Sequence, residues 1–346
     1  MSATKPIFLA VSALGLALAA PGMASAKTLA NDAAAAKDDA TAEATSNDDA
    51  QATASATPAE ATPVAEAAPA ATVTDIPGSL LSSGSGRLLL TGGVSQVEGS
   101  AGGGLTPWAF IAGYGTNRQI GGTAYATYVK TDDYNLKSYG GAIGLFDRVE
   151  VSLSRQEFDL EKVGGALGLG NGFTISQTTV GVKVKLIGNG VLDQDKLLPQ
   201  ISVGLQYKDN NRDGLVKALG ATSGNGVDFY LTATKLFLGQ NLLLNGTVRL
   251  TKANQFGILG FGSATAGYKP QFEGSVAYLV TRKLAIGAEV RTKPNNLAVA
   301  KEGAAFDAFV AFAPSKNISV TAAYVNLGNI VVGKQDGYYL SLQFAF

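Results

Sequence analysis

Gly337-Tyr338-Tyr339-Leu340-Ser341-Leu342-Gln343-Phe344-Ala345-Phe346 ends the chain. Tyr338, Leu340, Leu342, Phe344 and Phe346 alternate with Tyr339, Ser341, Gln343 and Ala345, so a strand built from this stretch has one apolar face and one small or polar face. The same period of two recurs upstream, in Val149/Val151/Leu153, Val180/Val182/Val184/Leu186, Ile201/Val203/Leu205/Tyr207, Leu284/Ile286/Ala288/Val290 and Ile318/Val320/Ala322/Tyr324. Each run lasts about eight to ten residues, the length a tilted strand needs to cross a bilayer.

The charges decide between a membrane barrel and a soluble sandwich. Following the alternation through each run places Lys130, Glu150, Lys183, Lys185, Asp228, Arg249, Glu273, Glu289, Arg291 and Asp307 on the face opposite the Val, Ile, Leu, Phe and Tyr side chains. A sandwich needs that inner face dry. A barrel wants its charges inside, because Lys or Arg facing lipid at midplane costs ~2–4 kcal/mol. The pattern therefore predicts an all-β, antiparallel, up-and-down transmembrane barrel with a wet, charge-lined lumen. Its five basic and five acidic residues balance, so an open lumen would select only weakly between ions.

Thirteen such runs follow Trp108, starting near 108, 122, 137, 148, 174, 199, 227, 241, 271, 283, 306, 317 and 337. Short turns at Asp147-Arg148, Gly239-Gln240, Thr281-Arg282 and Pro314-Ser315-Lys316 alternate with long polar stretches at 156–173, 208–226, 251–270, 291–305 and 326–336. Short inner turns and long outer loops are the bacterial arrangement, which requires an even strand number. A further strand near Arg87–Ser95, with 97–104 as the first outer loop, makes fourteen; twelve or sixteen are the fallbacks. Trp108 and Tyr114 then belong at interface depth on the lipid side. In a competing reading, Leu88-Leu89-Leu90 and the glycine-rich 99–104 fold inward as a small hatch.

Upstream, Lys5, the apolar stretch from Ile7 to Ala20 and the small-residue site Ala24-Ser25-Ala26 read as a signal peptide over residues 1–26. Residues 27–74 hold Ala, Thr, Asp, Glu and Pro without an aromatic residue, the composition of a disordered periplasmic linker. Residues 75–346 form the barrel segment. No later segment reaches ~18 consecutive apolar residues, so helical membrane spans are excluded.

The chain has no cysteine and no histidine. Disulfides, the usual transition-metal ligand and the usual general base are absent together, so neither an enzyme nor a cofactor is expected. Lys+Arg and Asp+Glu are 27 each, which argues against a nucleic-acid partner. Asp209, Asn211 and Asp213, in Asp209-Asn210-Asn211-Arg212-Asp213-Gly214, match the start of a calcium loop, but Gly220 stands where a bidentate Glu belongs. A polar loop tip is the plainer reading. Gly165–Gly172 and Gly257–Gly262 lack the strand-to-helix context and the Lys of a phosphate cradle. Ser95 lacks the second glycine of a nucleophile elbow.

Two stretches carry resemblances. The C-terminal decapeptide resembles the terminal signal of outer-membrane barrels, with Gly337, Leu340, Leu342 and Phe346 at the matching positions. Leu340 stands where an aromatic residue is more usual. The resemblance implies recognition by the barrel-assembly machinery. Arg87-Leu88-Leu89-Leu90-Thr91-Gly92-Gly93-Val94-Ser95-Gln96-Val97-Glu98-Gly99, continuing through Gly102-Gly103-Gly104-Leu105-Thr106-Pro107-Trp108-Ala109, is similar to a proteobacterial family of outer-membrane proteins catalogued as domain of unknown function 3034. That resemblance implies a barrel from about residue 75 onward and assigns no activity or functional residue.

The expectation is thus a monomeric, porin-like passive channel for small solutes in the outer membrane of a Gram-negative bacterium, in contact with lipid and lipopolysaccharide. The alternatives are a hatch-gated transporter of apolar molecules, similar to fatty-acid uptake barrels, and a sealed structural or loop-displaying barrel.

Overall fold

The computed structural model describes residues 89–346 apart from Gly93 and Val332. The expected signal peptide, linker and residues 75–88 lie outside the described residues. Twelve antiparallel strands form a closed barrel in which every strand pairs with its sequence neighbours and β1 pairs with β12. They are β1 Ile120–Thr131, β2 Asn135–Leu145, β3 Val149–Asp159, β4 Thr174–Ile187, β5 Gln200–Asn210, β6 Asn225–Phe237, β7 Leu242–Thr251, β8 Lys269–Thr281, β9 Leu284–Arg291, β10 Ala305–Phe312, β11 Ile318–Ile330 and β12 Gly333–Ala345. Closure leaves no unpaired edge within the membrane, where an unsatisfied backbone group is costly.

The twelve runs expected from residue 122 onward are the twelve strands. The count of fourteen falls to the twelve-strand fallback because the two most N-terminal runs do not join the sheet. The run at 108–115 is nowhere part of a strand. Its sequence explains this: Trp108-Ala109-Phe110-Ile111-Ala112 is continuously apolar, the signature of a segment buried all round, whereas a lipid-facing strand alternates. Trp108 and Tyr114 are accordingly buried and face no lipid.

β12 shows why its sequence closes the barrel. Tyr338, Leu340, Leu342 and Phe344 point outward and are about half exposed, while Tyr339, Ser341 and Gln343 are buried on the inner face. Gly337 lies opposite Thr131, and a Cβ there would stand 1.9 Å from the Lys130 carbonyl oxygen. Glycine is thus required where β1 and β12 approach. Phe346 exchanges backbone hydrogen bonds with Gly122, each 3.0 Å.

The inner end carries the turns β2–β3, β6–β7, β8–β9 and β10–β11 and the start of β1. The connection 188–199, between β4 and β5, is the long one at that end. The outer end carries the long connections, including two short helices, α1 Glu161–Ala166 and α2 Asp213–Ala218. The stretch 326–336, expected as an outer loop, is mostly strand. β11 and β12 meet there in a tight hairpin with an irregularity between Asn326 and Asn329.

Candidate functional site: the occupied lumen

Residues 90–115 fill the barrel. The segment enters from the inner end, climbs to a turn at 96–100 and returns. Gln96 N–H donates to the Ser100 carbonyl at 2.9 Å, Trp108 N–H to Ala101 at 3.1 Å and Gly113 N–H to Gly92 at 2.7 Å. Gly99 has φ +99°, which this tight turn requires. Tyr114 N–H donates to the Phe346 carbonyl at 2.9 Å, so the returning arm is tied to the barrel's closing strand before β1 begins. The expectation of 97–104 as an outer loop is corrected here. Residues 90 and 99–104 lie inside the barrel, as the hatch alternative has them, and Leu88 lies outside the described residues.

Three layers hold this plug. Toward the inner end, Leu90, Val94 and Trp108 pack against Leu236, Leu243, Ala277, Ala285 and Phe309, leaving a void of only about 30 Å³. Toward the outer end, Val97 and Leu105 meet Val129, Phe158, Ile258 and Leu327 around a void of about 40 Å³. Each has room for about one water, far short of a permeation path.

Between them lies a charged belt. Glu98, from the plug turn, pairs with Lys208 at 2.5 Å and Arg291 at 3.0 Å. Lys208 also pairs with Asp228 at 2.7 Å, and Glu273 bridges Arg249 and Arg291. On the opposite side of the plug, Glu150 accepts from the Ala101 and Ala112 N–H groups and pairs with Lys183 at 3.0 Å. The Lys183 ammonium in turn donates to the Ala101 and Trp108 carbonyls. Glu289 accepts from Leu105 N–H at 2.7 Å and from the Thr106 hydroxyl at 2.6 Å. The Pro107 carbonyl accepts from Thr232 and Thr247, and the Ala109 carbonyl from Gln200 and Ser202. The plug backbone, which makes little regular structure, thus finds its partners on the wall.

An outer turn completes the seal. Asn254–Gly257 folds into the mouth with Gln255 and Phe256 at positive φ, and the Phe256 ring lies 4.2 Å from the Arg291 guanidinium carbon. The Phe256 carbonyl accepts from Lys208 and Gln177.

Of the ten charges expected in the lumen, Glu150, Lys183, Asp228, Arg249, Glu273, Glu289, Arg291 and Asp307 are buried in this belt. Lys185 sits at the inner mouth, paired with Asp147 at 2.6 Å, beside a cavity of about 680 Å³ that also touches Asn117 and Gln200. Lys130 departs from the expectation. It shares the outward parity of Ala124 and Ala126 and pairs with Glu161 at the outer rim.

The sequence reading missed Glu98 and Lys208. Lys208 falls in the polar stretch 208–226, although Ser202, Gln206 and Lys208 continue the inward parity of β5 to Asn210.

Asp209, Asn211 and Asp213 do not converge. Asp209 faces outward, Asn211 accepts from Ser176 N–H, and Asp213 accepts from Gly224 N–H and pairs with Lys217. Among the described residues no cluster of three or more Asp or Glu side chains could hold a metal.

A closed strand cylinder with an apolar outer face and the segment before β1 seated inside defines a plugged outer-membrane β-barrel. Residues 91–343 match the family described as protein of unknown function DUF3034, and the chain belongs to that family. Among curated proteins, none matches it. Among solved structures it is similar to the KdgM porin, at 12% identity over 65% of this chain and 99% of that one, with a TM-score of 0.42. Outer membrane phospholipase A from Escherichia coli matches at 10% identity, 68% and 98% coverage and a TM-score of 0.38. The COG4313 outer membrane channel from Pseudomonas putida F1 matches at 16% identity, 65% and 94% coverage and a TM-score of 0.37.

Proposed function

We propose that this chain is a gated outer-membrane transport barrel, closed at rest by residues 90–115 and passing small polar solutes when that segment is displaced. The observation that supports the reading is the chemistry of the seat. A permanent filling is served at least as well by apolar packing as by buried ion pairs. Here the middle of the plug rests on Glu150, Lys183, Lys208, Glu289 and Arg291, groups that water can solvate once the plug leaves. The same belt disfavours apolar cargo, which would cross a ring of charges. The role is read as non-enzymatic, because the chain has no histidine to serve as a base. Assembly would use the signal at Gly337, Leu340, Leu342 and Phe346, with the linker in the periplasm and the monomer as the working unit.

The test locks the plug in the full chain. The Thr106 and Ser275 hydroxyls lie 2.5 Å apart, and the protein has no native cysteine, so T106C/S275C places one disulfide between plug and wall. In planar bilayers the reduced protein is expected to show stepwise openings that oxidation abolishes. Openings that survive oxidation would put the path elsewhere. Silence of both the reduced and the wild-type protein would favour a sealed structural barrel.

A further inference from the structure

We propose that Glu289 and Asp307 form a proton-binding site beneath the plug, and that its proton holds the plug shut. The proposal rests on the gating reading above and names what regulates it. The two residues stand directly opposite each other in the β9–β10 register, both on the lumen face and both 3% exposed. Glu98, Glu150, Asp228 and Glu273 each have a cation within ion-pair distance. Among the described residues, no such pair involves Glu289 or Asp307. Arg291, two positions along β9, is turned to Glu98 and Glu273.

Two carboxylates side by side, out of water and without a cation, cannot both carry charge. The hydrogen bonding places more donors on Glu289 than on Asp307. Glu289 accepts from Leu105 N–H, from the Thr106 hydroxyl and from the Ser275 hydroxyl at 2.7 Å, so it is the anionic acceptor. Asp307, whose Oδ2 faces Gly104 of the plug, has no comparable set of donors among the described residues, so the proton that the pair must hold is assigned to it. Its other oxygen, Oδ1, is buried without a hydrogen-bond partner. The facing groups contribute no compensating charge. β12 offers the buried phenol of Tyr339 and β8 the hydroxyl of Ser275, with Glu273 already paired. The inward side chains of β11 here are Thr321, Ala323 and Val325, and from β1 Tyr125 donates to the Val97 carbonyl.

The plug covers this pair with glycine. A Cβ on Gly103 would lie 1.9 Å from Glu289 Oε1, and one on Gly104 would lie 3.4 Å from Asp307 Oδ2. Lifting the plug admits water to both carboxyls, and the second can then ionise and release its proton. The seated state therefore binds one more proton than the lifted state. Low pH favours the seated plug, and rising pH shifts the ratio of lifted to seated by up to about tenfold per unit.

Two readouts on the full chain test this. Infrared spectra of the wild type at neutral pH should contain a carbonyl band of a buried protonated carboxyl that Asp307→Asn removes and Glu302→Gln does not. In bilayers, wild-type opening should rise with pH at up to about tenfold per unit, whereas D307N should stay closed with a flat profile. No such band, together with pH-independent openings that the T106C/S275C disulfide blocks, overturns the proton site and leaves the gating reading standing. Such a band in a protein that never conducts, with or without the lock, keeps the site and removes the gate. Openings that follow the metal-cation concentration at fixed pH would replace the proton by a bound cation and overturn the proposal.

Discussion

Gly103 has no room for a side chain, because the Glu289 carboxylate occupies that space. The carboxylate cannot swing aside freely, since Leu105, Thr106 and Ser275 all donate to it. Gly103→Ala is therefore expected to unseat the upper plug and raise opening frequency in bilayers. Gly246→Ala is the control, because a Cβ at Gly246 meets nothing within 4 Å, and that variant should match the wild type. Glu98→Gln acts through charge. It leaves Lys208 and Arg291 buried with one carboxylate fewer, and breaking a buried pair costs about 3–5 kcal/mol. The temperature at which the folded band is lost on a heat-modifiability gel should fall for Glu98→Gln, whereas a change at the exposed Lys217–Asp213 pair should not move it. At this scale parity made most lumen charges legible in the sequence, because a strand's faces alternate strictly. Lys130 escapes the rule because, at the outer rim, an outward lysine can reach Glu161 instead of lipid. Glu98 was not legible at all: parity assigns faces within a strand and says nothing of a segment that lies inside the barrel.

Among the elements, the outer turn Asn254–Gly257 depends on its neighbour, the connection 292–304. Lys293 donates to Gln255 Oε1 at 2.6 Å and to the Leu327 carbonyl at 2.7 Å, and Glu302 accepts from Gln255 N–H at 2.7 Å. Burial pushes the Glu302 carboxyl up to about 7, against the opposing pull of Lys293 and the Gln255 N–H. A carboxyl raised on folding gives stability that is full below its ordinary range and is lost as pH rises through the folded value. The turn should thus be held most firmly below the ordinary carboxylate range and loosen up to about pH 7. Glu302→Gln should flatten that window. Hydrogen exchange at the Gln255 amide, corrected for the intrinsic rate, reads it; an unchanged slope in the variant would assign the dependence to another group. The inward fold of this turn was hidden from sequence patterning, since Asn254-Gln255-Phe256-Gly257 carries the polar and glycine residues of any exposed loop. The twelve strands were legible because a lipid-facing side imposes a period of two that no loop imitates. The plug arm at 108–115 is long and apolar enough to resemble a strand, but its continuous apolar run lacks that period.

For the whole molecule, the wall and the plug make one electrostatic object, and displacing the plug changes its balance. The strands contribute Lys183, Lys208, Arg249 and Arg291 against Glu150, Asp228, Glu273, Glu289 and Asp307, and the plug adds Glu98. With the plug seated, Glu98 satisfies Lys208 and Arg291; with it displaced, those two cations face the path beside Asp228 and Glu273. Opposite signs then line one constriction at close spacing, and the open state should prefer cations only weakly. Arg249→Glu together with Arg291→Glu reverses two charges in the belt. The open-state reversal potential under a salt gradient should move clearly toward the cation value, more at low than at high ionic strength, because screening shortens the reach of fixed charges. The pair of substitutions also weakens the seat of Glu98, so openings should be more frequent and easier to measure. Selectivity must therefore be read from open-channel currents, not from mean conductance. A reversal potential identical to wild type in those openings would mean that ions bypass the belt, and the path through the lumen would have to be abandoned even if the disulfide lock closes the protein.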